Sequence, residues 1–353
     1  MRDHRFRLFA GLAVVLLTVV VGGPDRVHAQ ATFQINNLDG VNEGFNDPGV
    51  PDLASTFGGN SGTTIGAQRR IAFDRAVSIW ADLLDSRVTI VVDAQFNALA
   101  CDATTATLGS AGSNTVHANY PHAPILDTWY PAALANALAG TDLDPAQSDI
   151  NAVFNSDLDG TCLFPLVWYY GLDGHPPSGA LDFISVVLHE LAHGLGFQTY
   201  MNTATGAKLY GWDDTFLLWL EDRSADELLS DMATDAERAA ASIDTGNLYW
   251  VGPDVAGASS FLTSGRDASG YVQMYAPDPV ETGSSVSHFS TALFPNQLME
   301  PSFTGAHHDV GLALEVMQDI GWSTSAQAGT SGSTSSSGGG GGGGCFLDTI
   351  SDF

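Results

Sequence analysis

Apolar residues recur at helical spacing across residues 64–84, where Phe73, Val77, Trp80 and Leu84 share one face and Asp85-Ser86 closes the run. The period then changes to two. Val88, Ile90, Val92, Ala94 and Phe96 alternate with Thr89, Val91, Asp93 and Gln95, which predicts a strand; the apolar Val91 on its second face predicts a place inside a sheet. Residues 30–62, rich in Gly, Asn, Asp and Pro, predict loop around one short strand. Residues 97–149 carry no clear period and read as loop, with His117 and His122 as surface histidines, and residues 150–156 predict a second strand. Ile184, Leu188, Leu191 and Leu195 then mark a helix. Further on, Ser224-Ala225-Asp226-Glu227 has the capping-box pattern of a helix start, residues 248–251 predict a strand, and residues 309–320 predict a capped helix. Helices and strands mixed in this order predict an α+β fold.

The helix marked by Ile184 to Leu195 also carries His189-Glu190-Leu191-Ala192-His193. Two histidines four apart project from one helix face and can reach a single ion, and the apolar stripe leaves them on a different side. Glu190 stands beside the first of them. A carboxylate there is placed to take a proton from a zinc-bound water, whose pKa the metal lowers toward ~7. Three residues past His193, Gly196 tolerates the left-handed conformation that ends a helix. The pattern H-E-x-x-H-x-x-G resembles that of the metzincins, a class of zinc metalloproteases. In most of them a third histidine follows three residues after the glycine; here that position is Thr199.

Composition narrows the setting. Arg2, Arg5 and Arg7 precede an apolar run over residues 8–21, and Val27-His28-Ala29 resembles a cleavage site, so residues 1–29 read as a secretory signal peptide, the run being too short for a comfortable membrane span. A secreted or extracellular protein is expected. The formal charge of −28 argues against nucleic acid and anionic membranes as partners. Of the three cysteines, Cys101 and Cys162 are candidates for a disulfide in an oxidising compartment, which leaves Cys345 alone. Asn155-x-Asp157-x-Asp159-Gly160 has the alternating oxygens that open a calcium loop, which makes Ca2+ a second candidate ion; Leu166 stands where such a loop would close with an acidic residue, and a plain Asp-Gly turn is the simpler reading. Residues 323–344 turn into a Ser/Gly-rich linker, and the Cys-containing tail at 345–353 is a candidate for cell-surface attachment.

The third ligand is sought downstream. Ser287-His288-Phe289 is followed by Leu298-Met299-Glu300-Pro301, with Met299 eleven residues after His288, and later by Gln318-Asp319-Ile320-Gly321-Trp322. Together with the helix motif, these segments resemble leishmanolysin, a metzincin whose third zinc histidine is displaced downstream by an insertion. In that family a Leu-Met-x-Pro turn follows at the same distance. The resemblance covers about residues 182–197 and 286–322, and leishmanolysins are cysteine-rich where this chain is not.

It implies a catalytic domain over residues 30–322, with a mixed-sheet N-terminal lobe, an active-site helix, an insertion over residues 200–287 and a C-terminal lobe built on the methionine turn. It also implies His189, His193 and His288 as Zn2+ ligands, Glu190 as general base, Met299 as the turn methionine, and protein or peptide substrates. His307 and His308 are lesser rivals for the third ligand. Two other readings stay open: a metalloprotease whose third ligand is a carboxylate such as Glu221, and a non-catalytic surface adhesion protein that keeps the fold.

Overall fold

The structure is a computed structural model that describes residues 29–51, 58–159 and 162–325. The stretches read as signal peptide, linker and Cys345 tail lie outside these residues, apart from residues 29 and 323–325. The latter three are paired with the core: Asp85 donates from its amide to the Ser323 carbonyl (2.9 Å), and Ser325 donates to that of Leu83 (3.0 Å). Pairing with the core therefore continues past the composition change at Ser323, as far as Ser325 among the described residues.

β1 (Phe33–Asn37) is followed by α1 (Ile65–Leu83), whose start is fixed by the Thr64 hydroxyl accepting from the Ala67 amide. α1 buries Phe73, Ala76 and Trp80. β2 (Ile90–Asn97) lies between β1 and β6 (Ile150–Asn155), parallel to both, and buries Ile90, Val92, Ala94 and Phe96 on one face. This is the central strand that the alternation predicted.

The stretch read as loop holds more structure than expected: β3 (Gly109–Ser113), β4 (Val116–His117), β5 (Thr128–Pro131) and α2 (Ala132–Ala139). β3 completes the main sheet, antiparallel to β6, in the order β1-β2-β6-β3. Its sequence, Gly-Ser-Ala-Gly-Ser, has no β-branched residue. Its strand conformation comes from backbone pairing with β6, which hydrophobic alternation does not report. α2 is alanine-rich, preceded by Pro131 and closed by Gly140 at φ +68°, signals that the loop reading passed over.

β7 (Val167–Tyr169) and β8 (Ala180–Asp182) form a parallel pair that leads into α3 (Phe183–Leu195). Asp182 caps α3, its carboxylate accepting from the Ser185 amide at 2.8 Å. Every residue of α3 is buried, so the side opposite the predicted stripe is also enclosed. Phe73, Phe96, Phe154 and Phe183 join α1, β2, β6 and α3, with ring centroids 5.1–5.7 Å apart. The indole of Trp80 donates to the Leu188 carbonyl at 3.1 Å and ties α1 to α3.

Between α3 and the third histidine stand β9 (Asp213–Asp214), β10 (Leu220–Asp222), β11 (Glu227–Leu228), α4 (Asp235–Ala241), β12 (Leu248–Trp250), α5 (Pro253–Ala258) and β13 (Val272–Gln273). Four of them make a second, antiparallel sheet in the order β11-β10-β12-β13. The helix expected from Ser224 does not form. Asp222 accepts from both the amide and the hydroxyl of Ser224, turning the chain so that Glu227 pairs back with Asp222 as β11. The reciprocal capping box belongs instead to Thr234 and Glu237 at the start of α4.

α6 (Ala313–Ile320) lies within the helix predicted over residues 309–320 but starts later. Among the described residues no helix is long and apolar enough to cross a membrane.

Asp319 of α6 accepts from the Trp250 indole (2.8 Å) and from the amides of Asp254 (2.8 Å) and Val255 (3.3 Å), which locks α6 to β12 and α5. Burial raises its pKa to about 6, against the pull of these donors. The folded chain thus keeps this proton where an unfolded aspartate has lost it, so the contribution is full below about pH 4 and is lost as pH rises through 6. The amide in Asp319→Asn does not titrate. The margin of parent over variant in urea unfolding is therefore expected to widen by about 1 kcal/mol from pH 7.5 to pH 5. A margin that stays constant or narrows would contradict the assignment.

Candidate metal centre

α3 delivers His189 and His193 one turn apart, and Gly196 ends it at φ +125°, its amide donating to the carbonyls of Ala192 and His193. A Cβ on Gly196 would stand 2.7 Å from Cδ1 of Ile320, so both conformation and close approach require glycine here. The Trp322 indole donates to the Leu195 carbonyl at 2.9 Å and fastens the helix end to the chain beyond α6. His288 comes from a segment 95 residues beyond His193. Its flanks are held by Tyr275, which donates to the His288 carbonyl (2.9 Å), and by Phe289, which donates to the Met299 carbonyl (2.8 Å).

The three Nε2 atoms converge, with separations of 3.0 Å (His189–His193), 3.1 Å (His189–His288) and 3.3 Å (His193–His288). Each ring is fully buried. Each Nδ1 faces a backbone carbonyl at 2.8 Å: Leu298 for His189, Phe197 for His193 and Ser284 for His288. A carbonyl only accepts, so every Nδ1 carries the proton and every Nε2 is left with a lone pair. Three lone pairs then face one another, which repels unless a cation stands among them. The nitrogens of a tetrahedral zinc site with bonds of about 2.0–2.1 Å lie about 3.3–3.4 Å apart, close to the spacing found.

Burial, and after it the neighbouring imidazoles, hold the pKa of His189 well below the ordinary value. Burial and then His193 do the same for His288. Both rings are kept in the neutral, ligating form.

Glu190 is buried on the same helix, packed against β3. A Cβ on Gly109 would lie 2.8 Å from both Cγ and Oε1 of Glu190, so this small residue makes room for the carboxylate. Met299 is fully buried, and the residue before it supplies the carbonyl that orients His189. The turn at Met299 and the ring of His189 are thereby coupled.

Other candidates lie elsewhere. Glu221 is in β10, ion-paired with Arg223 at 2.9 Å, and is not part of the histidine cluster. His308 contacts the Asp182 carboxylate at 3.0 Å, and His307 bonds Thr304 and Ser185. Cys101 and Cys162 are joined as a disulfide, with Cα atoms 5.6 Å apart. In the segment weighed as a calcium loop against a plain turn, the side-chain amide of Asn155 donates to the Thr107 carbonyl and its oxygen accepts from the Asp157 amide, as in a simple turn. Gly160 lies outside the described residues, and among the described residues the three histidines are the one cluster suited to an ion. The orienting carbonyls of Leu298, Phe197 and Ser284 left no mark in the sequence, because every residue has a carbonyl.

Residues 55–214 match the family described as SPBPB7E8-like; the match takes in α1, β2, β3, β6 and α3 and ends before His288. No curated protein and no solved structure matches the chain.

Proposed function

We propose that this chain is a zinc-dependent endopeptidase of leishmanolysin-like metzincin type, acting outside the cytoplasm on protein or peptide substrates. One observation carries the proposal: three buried imidazoles aim their Nε2 lone pairs at one point while each Nδ1 proton is held by a backbone carbonyl. His189, His193 and His288 would hold the ion. When bound, zinc with three neutral ligands keeps its full charge and an open position, which acidifies water and polarises a carbonyl.

The rest is work for the chain itself. Glu190 shares a helix turn with two of the ligands and accepts the proton of the attacking water at its carboxylate, then passes it to the leaving amine. Gly109 keeps the carboxylate's place open, and β3 walls it from the sheet side. A closed structural site would have no use for a buried carboxylate beside its first ligand, which weighs against the adhesion reading. The ion pair of Glu221 with Arg223 weighs against a carboxylate as third ligand.

Metal analysis of the purified protein together with a casein-cleavage assay tests the proposal. The expected result is about one zinc per chain and cleavage that a chelator stops and added zinc restores. Metal-free protein, or cleavage indifferent to the chelator, would reject it.

A further inference from the structure

We infer that Asp214 is a positioning residue for the third ligand, holding the segment of His288 in place through Thr199 and Ser287; this rests on the metal-site reading above. Asp214 is almost fully buried in β9 and spends its carboxylate on four donors. One oxygen accepts from the Thr199 hydroxyl and the Tyr200 amide, both at 2.7 Å. The other accepts from the amides of Phe216 (3.1 Å) and Leu217 (2.7 Å). Thr199 in turn donates its amide to the Ser287 hydroxyl at 3.2 Å, next to His288.

A strut therefore runs from the start of the insertion, through the chain just past α3, to the residue beside a ligand that is 95 positions from His193. The same stretch past α3 includes Phe197, whose carbonyl orients His193. Asp214 thus reaches the neighbourhood of two ligands without touching either.

The His288 segment needs holding. Val286, two residues earlier and fully buried, sits at φ +73°. A β-branched side chain occupies that region only when its surroundings force it to. Tyr275 brackets the strained turn on one side, accepting from the Val286 amide at 2.7 Å. Thr199 braces it on the other, and Asp214 anchors Thr199. Where most metzincins place a ligating histidine, this chain has a threonine that holds the distant histidine's segment.

The test uses full-length protein loaded with zinc and follows zinc release into excess chelator, alongside kcat and KM on a peptide and the urea midpoint of the metal-free form. Asp214→Asn, Thr199→Val and Ser287→Ala are expected to release zinc about tenfold faster or more, in the range found when groups that orient ligands are removed, with kcat falling more than KM rises. Thr199→Ser, which keeps the hydroxyl, is expected to stay within about twofold of the parent. Variants that release zinc at the parent rate, even with lower urea midpoints, would show a merely structural role and overturn the inference. If Asp214→Asn does not fold, Thr199→Val and Ser287→Ala decide the matter. A parent that takes up no zinc rejects the site reading and this inference with it, an outcome distinct from a zinc-loaded parent whose variants behave like it.

Discussion

Glu190→Gln is expected to lower kcat/KM on a fluorogenic peptide by about 10²–10⁴-fold while zinc content stays at the parent level. The side chain is buried on α3 against Gly109, so an amide of the same shape fits without repacking. What disappears is the carboxylate's ability to take a proton. Loss of both zinc and activity would instead mean that Glu190 supports the ligands, and a parent-like rate would remove it from the chemistry.

His288→Ala is expected to have the largest effect on metal binding. It deletes one of the three proposed ligands and leaves His189 and His193 with one fewer nitrogen in a fully buried site. Zinc affinity, measured by competition with a chelator, should fall by more than the roughly 10–100-fold typical of residues that only orient ligands. Peptidase activity should fall with it. The stabilisation expected from added zinc in the parent, about 2.7 kcal/mol at a hundred times Kd, should shrink to about 0.4 kcal/mol or less at the same zinc concentration. Glu221→Gln is the companion experiment, and zinc binding there is expected to match the parent because Glu221 is engaged with Arg223 in β10. If His288→Ala kept its zinc and Glu221→Gln lost it, the third ligand would be the carboxylate.

Features that repeat over a few residues were readable in the chain. Helical spacing placed His189, Glu190 and His193 together on α3, the stop at Gly196 followed from a residue without Cβ, and alternation marked β2 while the apolar Val91 on its second face marked its central place. Periods of 3.6 and 2 are local properties of the backbone, so they are written in adjacent residues. The capping pattern at Ser224 misled because a nearby Asp222 competes for the same donors, and capping motifs contain no record of such rivals.

The remaining features come from contacts between segments far apart in the chain. β3 is a strand because β6 pairs with it, and its glycine is needed because Glu190 lies against it; neither cause is among its own five residues. The distance at which His288 meets His189 and His193, the carbonyls that fix all three tautomers, and the brace from Asp214 through Thr199 to Ser287 arise from packing between distant segments. Backbone donors and acceptors are the same in every residue. Their partners are therefore chosen by the fold, and a sequence pattern gives no sign of them.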